Sequence, residues 1–291
     1  MHYRGLPLRG QSRHPSATAF DETDMTFELS RYLARIGHAA ESPSPAALAR
    51  LQAAQLRAIP FENIDPFLGI LPDLAPEVLG AKLIDQGRGG YCLELNALLG
   101  QALAALGYVA RPVLGRVRMG AARGGPRAHL ANVVHFGRRR FLADTGFGGP
   151  APEAPVEIAR ATPVTDRLGR FRIRRDRGAG EWVLERAVPE GWFALYGFDG
   201  ATVTEADRIA ANFFCARHPG APFPNHLMLN RVTGRGRVSL FDRRLTTADG
   251  ARDLAGPDDL AATLCDNFAL PANAALAGRL WRRLDPLANA A

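Results

Sequence analysis

The chain has 291 residues, of which 47% are hydrophobic and 22% charged, a composition that excludes disorder over most of its length. Its net charge is +7 with a single lysine, so nearly all of its positive charge is arginine, and three scattered cysteines exclude a disulfide framework. No run reaches the ~20 apolar residues of a membrane span, and residues 1–24 lack the apolar centre of a signal peptide, which together predict a cytoplasmic protein that needs no membrane.

The first third of the chain has the sequence pattern of packed helices. Residues 1–24 are polar and are predicted to be a disordered extension, whereas apolar residues recur at helical spacing over much of 25–107. The segment 60–66 is bracketed by prolines and predicts an ordered loop or turn. We therefore expect 25–107 to form a helical bundle. The predicted helices lie at about 26–36, 45–59, 76–86 and 92–106.

From residue 108 the period of the apolar residues changes from 3.6 to 2, which is typical of strands. Short strands separated by glycine and proline fill 108–203 and predict an antiparallel sheet or small β-barrel. Residues 204–291 mix both periods and predict an α/β lid with a basic tail. Helices, then strands, then a mixed lid make an α+β layout. The predicted strands lie at about 109–119, 129–136, 141–145, 171–175, 181–187, 226–230 and 236–246.

Cys92 has the sequence context of a reactive thiol. It follows Gly89 and Gly90 and opens the helix predicted at 92–106. The first turn of a helix presents free N–H groups and the positive end of the helix dipole, which lower the pKa of a thiol placed there. The same N–H groups can stabilise a tetrahedral oxyanion. Cys92 is therefore the candidate nucleophile.

A candidate base and its carboxylate partner lie in the hairpin that follows. His129 and Asp144 are symmetric about position 136.5, which falls between Phe136 and Gly137, where a turn is expected. A tight turn there places the two residues opposite each other or one step apart, close enough for a carboxylate to orient an imidazole. Together with Cys92 they fit the scheme of nucleophile, base and orienting group.

Four segments of the chain resemble the successive signatures of the arylamine N-acetyltransferase family. Their order and spacing match from about residue 25 to about residue 268, and an Arg-Gly-Gly-x-Cys element with Pro-Phe-Glu-Asn upstream is hard to produce by chance. Thr145 stands where the family usually has valine, which leaves the carboxylate of Asp144 in place. The segments are Ile59-Pro60-Phe61-Glu62-Asn63, Arg88-Gly89-Gly90-Tyr91-Cys92-Leu93-Glu94-Leu95-Asn96, His129-Leu130 and Asp144-Thr145-Gly146-Phe147-Gly148.

The resemblance implies a helical bundle, a β-barrel and an α/β lid around a catalytic core like that of the cysteine proteases. It implies a ping-pong reaction in which Cys92 takes the acetyl group of acetyl-CoA and passes it to an aromatic amine or hydrazine, with His129 as base and Asp144 as its partner. Acetyl-CoA is then a co-substrate, and no cofactor is bound permanently. The expected protein is a monomer or homodimer of xenobiotic metabolism that binds neither nucleic acid nor a membrane.

The resemblance also points to residues around the triad. Glu62 and Arg88 are expected to form an ion pair that supports the loop before Cys92. No metal site is expected, because nothing completes a tetrahedral set around Cys215 and its neighbouring histidines. Candidates to line an acceptor pocket are Phe61, Phe147 and Phe223, and candidates to contact CoA are Gly124, Gly125 and Arg127.

Three alternative functions stay open at this point. An amide synthase of polyketide biosynthesis, which closes a macrolactam, would use the same triad on a different acceptor. A cysteine hydrolase would share the Cys, His, Asp order and release its product to water. A basic module for nucleic acid would use the arginine clusters at 138–140 and 170–177, but no known nucleic-acid motif accompanies them.

Overall fold

A computed structural model of the protein describes residues 27–160 and 162–288. The extension predicted at 1–24 and the start of the first predicted helix lie outside the described residues. The helices begin and end as α1 Leu29–Ile36, α2 Pro45–Ala58, α3 Ile64–Phe67, α4 Pro76–Gly80, which continues as a π-helix over Ala81–Asp85, α5 Cys92–Ala105, α6 Glu205–Arg217, α7 Pro257–Asp266 and α8 Ala274–Ala288.

Local chemistry accounts for the ends of the early helices. Ser44 caps α2, because its hydroxyl accepts the N–H of Ala47 at 3.1 Å, and Pro45 occupies the first position, where no hydrogen bond is lost. Gly37 ends α1 in the left-handed conformation, with φ +62°, that glycine adopts without a steric penalty. The helical pattern seen in the sequence thus has matching start and stop signals.

Eight antiparallel strands form the central sheet, in the spatial order β5-β4-β3-β2-β9-β8-β7-β6. Its end strand β5 also contacts β7, so the sheet curls into a nearly closed barrel. The predicted antiparallel barrel is confirmed, although the sequence pattern missed β9 as a separate strand. The strands are β2 Val109–Val117, β3 Arg127–Phe136, β4 Arg139–Ala143, β5 Val156–Glu157, β6 Val164–Asp166, β7 Gly169–Asp176, β8 Glu181–Val188 and β9 Gly191–Phe198.

A second sheet of five strands joins the two ends of the chain. Its order is β1-β10-β11-β12-β13, so β1 near the N-terminus pairs with β10 near the C-terminus. This sheet therefore crosses from the helical bundle predicted at 25–107 to the lid predicted at 204–291. The segment 60–66, predicted to be a loop or turn, supplies β1 and the start of α3. The strands are β1 Phe61–Glu62, β10 Met228–Thr233, β11 Gly236–Phe241, β12 Arg244–Thr247 and β13 Gly250–Asp253.

Helix α5 lies at the centre of the fold and carries Cys92 at its first position. Ten of its residues are buried, because it packs on β2 and β3 of the barrel and on α1, α4 and α6. A helix that is apolar on all sides is stable only in such a surrounded position. The predicted α+β fold with a helical bundle, a barrel and an α/β lid is confirmed. Among the described helices, none combines the length and apolar character that crossing a membrane requires.

Candidate active site

The loop before Cys92 is pressed against the strand β1. The carbonyl of Gly90 accepts the N–H of Glu62 at 2.9 Å, and a Cβ on Gly89 would lie only 2.3 Å from the carbonyl oxygen of Pro60. Glycine is therefore required at position 89 for the two segments to pack together. Gly89 and Gly90 thus leave room for neighbouring protein atoms, those of Pro60 and Glu62 at Gly89 and of Glu94 at Gly90.

A buried ionic cluster holds this loop in place. Arg88 donates to the Oε1 atom of Glu62 from both Nη2, at 2.7 Å, and Nε, at 3.0 Å, so the structure brings the expected pair together. Lys82 lies 2.6 Å from Asp65 and 2.7 Å from Glu94. Three carboxylates share two cations here, and burial, only partly offset by Lys82, raises the pKa of Glu94 to about 7.

Cys92 is almost fully buried, with 4% of its surface exposed. Its Sγ lies 3.8 Å from the carbonyl oxygen of Ala128, and the His129 ring is within hydrogen-bonding reach of the thiol. A hydrogen bond with Cys215 and burial raise the pKa of Cys92, whereas His129 lowers it. Ionisation of Cys92 near neutral pH therefore depends on His129.

His129 and Asp144 are in direct contact. The Nε2 atom of His129 lies 2.7 Å from Oδ2 of Asp144, and both side chains are buried. This contact leaves Nδ1 of the imidazole for the thiol. Burial alone lowers the pKa of His129, but the Asp144 carboxylate outweighs burial and raises that pKa to about 10. The three side chains thus form one connected group.

The hairpin reaches this geometry by a register that differs from the predicted one. Phe136 pairs with Arg139 and Asn132 with Ala143, so the turn is centred at 137.5 rather than at 136.5. In this register Asp144 would face Ala131 instead of His129. Asp144 still contacts His129 because His129 and Ala131 are two residues apart on β3 and share a face of the sheet. The chain also leaves β4 after Ala143, so Asp144 is not bound to the strand register.

Every oxygen of the Asp144 carboxylate is used. Oδ1 accepts from Nδ2 of Asn96 and from the N–H of Gly146, both at 2.8 Å, while Oδ2 accepts from Tyr196 at 2.8 Å as well as from His129. Burial raises the pKa of Asp144, but His129, Asn96 and Gly146 together lower it below its usual value. The carboxylate is therefore ionised and fixed in orientation.

A second set of buried amides holds the segment that carries Asp144. Gln52 accepts the N–H of Asp144 at 3.0 Å, and Gln55 donates to the hydroxyl of Thr145 at 2.8 Å. Asn96 accepts the N–H of Thr145 at 2.9 Å. Sequence reasoning did not single out Gln52 or Gln55, because a glutamine on an amphipathic helix carries no signal until its partners are known.

Tyr196 on β9 is the main contact that sequence reasoning missed. Its ring packs edge-on against the His129 ring, with centroids 4.5 Å apart, and its hydroxyl donates to Asp144. We expect Tyr196→Phe to slow alkylation of Cys92 by iodoacetamide by about tenfold, because one charge-assisted hydrogen bond that orients the carboxylate is lost. Peptide mass mapping of the alkylated cysteine gives the rate.

Tyr108→Phe is the matched control, because Tyr108 packs on Phe136 outside the triad and its hydroxyl has no contact with Asp144. That variant is expected to react at the wild-type rate. An unchanged rate in Tyr196→Phe would show that the hydroxyl plays no part in holding the triad.

One cavity of about 980 Å³ contains both Cys92 and His129. The three candidate aromatic residues Phe61, Phe147 and Phe223 all line it. Phe61 lies 6.0 Å from Phe223 between ring centroids, and Phe147 packs edge-on against His129 at 5.1 Å. The volume and the apolar lining suit a small aromatic molecule.

The residues expected to contact CoA separate into two groups. Gly125 lines the cavity. Gly124 packs against Arg116 instead, and a Cβ there would lie 2.5 Å from the Arg116 Cβ. Arg127 donates to Asp199 at 3.2 Å, so its guanidinium is already paired. Of the three, the structure brings only Gly125 to the cavity.

The remaining cysteines differ from each other. Cys215 lines the cavity, and its Sγ lies 3.3 Å from the same Ala128 carbonyl that Cys92 faces. Cys265 is exposed. Among the described residues, no group of three or more His, Cys, Asp or Glu side chains could hold a metal ion.

Comparison with known proteins gives a consistent result. A family model described as N-acetyltransferase matches residues 46–276. The arylamine N-acetyltransferase of Mycobacterium tuberculosis is 34% identical over 277 residues, which cover 90% of this chain and 96% of the relative. The Salmonella typhimurium arylamine N-acetyltransferase structure superposes with a TM-score of 0.82 at 29% identity and covers 89% of this chain and 99% of that chain.

Two further similarities bear on the chemistry. The Mycobacterium marinum arylamine N-acetyltransferase in complex with CoA superposes with a TM-score of 0.81 at 35% identity, covering 89% of this chain and 99% of that chain. Proansamycin X synthase of Amycolatopsis mediterranei is 27% identical over 235 residues, which cover 78% of this chain and 90% of the relative.

Proposed function

Since the chain belongs to the arylamine N-acetyltransferase family, we propose that it moves an acetyl group from acetyl-CoA to an aromatic amine or hydrazine through a thioester on Cys92. It is an acyltransferase, and acetyl-CoA is its co-substrate. The observation that carries the assignment of the thioester to Cys92 is the contact of His129 with Asp144, beside Cys92, in a cavity large enough for a small substrate.

In the first half-reaction, the proton of Cys92 has already passed to His129, and the thiolate Sγ attacks the carbonyl carbon of acetyl-CoA. The negative charge on the carbonyl oxygen is stabilised by the first-turn N–H groups of α5. The bond from carbon to the CoA sulfur then breaks, and CoA leaves as a thiol after taking the proton from His129. Gly125 is the residue that we assign to contact with CoA, since it lines the cavity without a side chain.

In the second half-reaction, the amine nitrogen attacks the acetyl group on Cys92 and gives a proton to His129. The carbon–sulfur bond breaks, the amide leaves, and Cys92 recovers the proton from His129. Asp144 stays ionised throughout and stabilises the imidazolium. We assign the aromatic ring of the acceptor to the wall formed by Phe61, Phe147 and Phe223, because aromatic rings pack well against one another.

A two-stage experiment tests this proposal. The protein is mixed with acetyl-CoA alone, and we expect one equivalent of CoA to be released with one acetyl group on the peptide that contains Cys92. Addition of 4-methylaniline or a hydrazine should then regenerate the free thiol and form the N-acetyl product. Continuous release of acetate without an amine would instead indicate a cysteine hydrolase.

A macrolactam-forming amide synthase is the second candidate, and its support is the similarity to proansamycin X synthase. That similarity is weaker than the one to the arylamine N-acetyltransferases. The same experiment separates the two functions, because an amide synthase is expected to ignore both acetyl-CoA and small anilines.

We also propose a cytoplasmic protein of xenobiotic metabolism, acting as a monomer or homodimer without nucleic acid or a membrane. The cytoplasmic address rests on the cysteine content of the sequence, because three widely spaced cysteines do not make the disulfide framework of a secreted protein.

A further inference from the structure

The wall of the cavity beyond the aromatic residues is basic. Arg167, Arg186 and Arg237 line it, and no aspartate or glutamate does so among the described residues. The rest of the lining is largely apolar. A cavity with an apolar body and one cationic wall suits a ligand of the same design, an aromatic body with an anionic group at one end.

Arg237 holds the loop that packs against the catalytic helix. Its Nη1 donates to the carbonyl of Gly148 at 3.0 Å and its Nη2 to the carbonyl of Ala151 at 2.7 Å. Gly146, two residues before Gly148, is so close to the catalytic helix that a Cβ there would lie 2.7 Å from Cα of Cys92. Two residues span at most about 7 Å. The path along the loop from Cys92 to the carbonyl that binds the guanidinium is therefore short, and both Cys92 and Arg237 line the same cavity.

Two of the three arginines carry a charge that no carboxylate neutralises. Arg167 pairs with Glu153. Arg237 donates only to two carbonyls and to the side-chain amide oxygen of Asn230, and Arg186 donates only to the carbonyl of Leu168 at 3.3 Å. Neither forms an ion pair with any residue in the described part of the chain. The Nε atom of Arg186 is buried without a partner among these residues.

The carboxylates nearest to these two arginines are already engaged. Glu153 binds both Arg57 and Arg167, and Asp166 accepts four backbone N–H groups. Burial and the neighbouring Arg186 cation lower the pKa of Arg237 to about 10. Two cations without an ion pair on one partly buried cavity wall repel each other, and an anion bound by both removes that repulsion.

From this arrangement we infer that the preferred acceptor is an aromatic amine that carries a carboxylate, whose amine faces Cys92 and whose carboxylate is bound by Arg237 and Arg186. The planar guanidinium fork matches the two oxygens of a carboxylate, and charge-assisted hydrogen bonds of this kind are the strong ones. Phe147 packs on His129 and Phe61 lies against Gly148, whose carbonyl binds Arg237, so we assign both to cover the ring. This inference rests on the proposed function.

The test compares 4-aminobenzoate with 4-aminobenzamide, which has nearly the same size but no charge. In a ping-pong reaction, kcat/KM for the acceptor is independent of the donor. We expect Arg237→Gln to lower kcat/KM for 4-aminobenzoate by about 10- to 100-fold and to change that for 4-aminobenzamide by less than about threefold. Arg186→Gln is also expected to lower kcat/KM for 4-aminobenzoate more than for 4-aminobenzamide. This variant keeps the hydrogen bonds of Arg237 to the Gly148 and Ala151 carbonyls.

Arg138→Gln is the matched control, because it removes the same charge from the exposed β3–β4 turn, outside the cavity. It should leave the ratio of the two acceptors unchanged. An equal loss for both acceptors in both cavity variants would show a structural role for the arginines and overturn the inference. If kcat/KM stays at the wild-type value for both acceptors in both cavity variants, the inference is overturned as well.

A second donor separates acceptor binding from CoA binding. If the arginines bind the phosphates of CoA, the variants will lose kcat/KM for acetyl-CoA but keep it for 4-nitrophenyl acetate, which has no phosphate, and the inference fails. If no acetyl group reaches Cys92 from either donor, the proposed function fails instead. If both amines are acetylated and the arginine variants change kcat/KM equally for 4-aminobenzoate and 4-aminobenzamide, the inference fails but the proposed function stands.

Discussion

Replacement of Cys92 by serine is expected to abolish acetyl transfer, with kcat reduced at least about 10⁴-fold. The reason is the acidity of the nucleophile. His129 must take the proton of a group that is buried and packed against a carbonyl oxygen, and a hydroxyl is much less acidic than a thiol in the same place. Steady-state release of CoA in the presence of an acceptor amine measures the loss.

Cys265→Ser and Cys215→Ser are the controls for this experiment. Cys265 is exposed and outside the cavity, so its variant is expected to keep full activity. Cys215 lines the cavity and its hydrogen bond with Cys92 only raises the pKa of that thiol, so its variant is expected to retain acetylation of Cys92. Acetyl label on Cys215 or Cys265, or normal turnover in Cys92→Ser, would refute the assignment.

Asp144→Asn is expected to lower kcat by about 10³- to 10⁴-fold while leaving the fold intact. The carboxylate accepts a hydrogen bond from Nε2 of His129 and so keeps Nδ1 free to take the proton of Cys92. An amide of the same shape loses the charge and can present its N–H group to the imidazole, which reverses the tautomer. Single-turnover acetylation of Cys92 by acetyl-CoA measures this step directly.

The pH dependence of the same variant follows from the pKa of His129. Asp144 raises that pKa to about 10, against the effect of burial, so in the wild type the imidazolium persists below about pH 10 and is lost as the pH rises through it. Without the carboxylate, burial dominates and the imidazolium is lost at a lower pH. Because His129 then holds the proton of Cys92 less well at pH 7, less thiolate is present, and we expect the rate of Cys92 alkylation at that pH to fall.

Asp249→Asn removes the same charge from an exposed pair with Arg235 and is expected to leave both rates unchanged. An unaltered pH profile in Asp144→Asn would mean that the carboxylate does not control the protonation of His129. A parallel loss of thermal stability in both variants would point to a structural effect instead.

The sequence alone predicted the three residues Cys92, His129 and Asp144, which the structure brings together. Cys92 follows a loop that contains Gly89 and Gly90, and it begins an apolar helix; this context predicts a thiol at a helix N-terminus wherever the helix packs. His129 and Asp144 were found from the symmetry of one hairpin. The predicted centre of the turn was one residue too early, yet the face of the strand was right, because side chains alternate with a period of two.

Only the tertiary structure decided which side chains surround the triad. Tyr196 comes from a strand that the pattern missed, and Arg237 comes from the second sheet, 93 positions after Asp144 along the chain. Arg167, Arg186 and Arg237 look in the sequence like any other arginines of a basic protein. Whether each of them can bind an anionic ligand depends on whether it already has a carboxylate partner. Ion pairs between distant segments form only when packing brings those segments together.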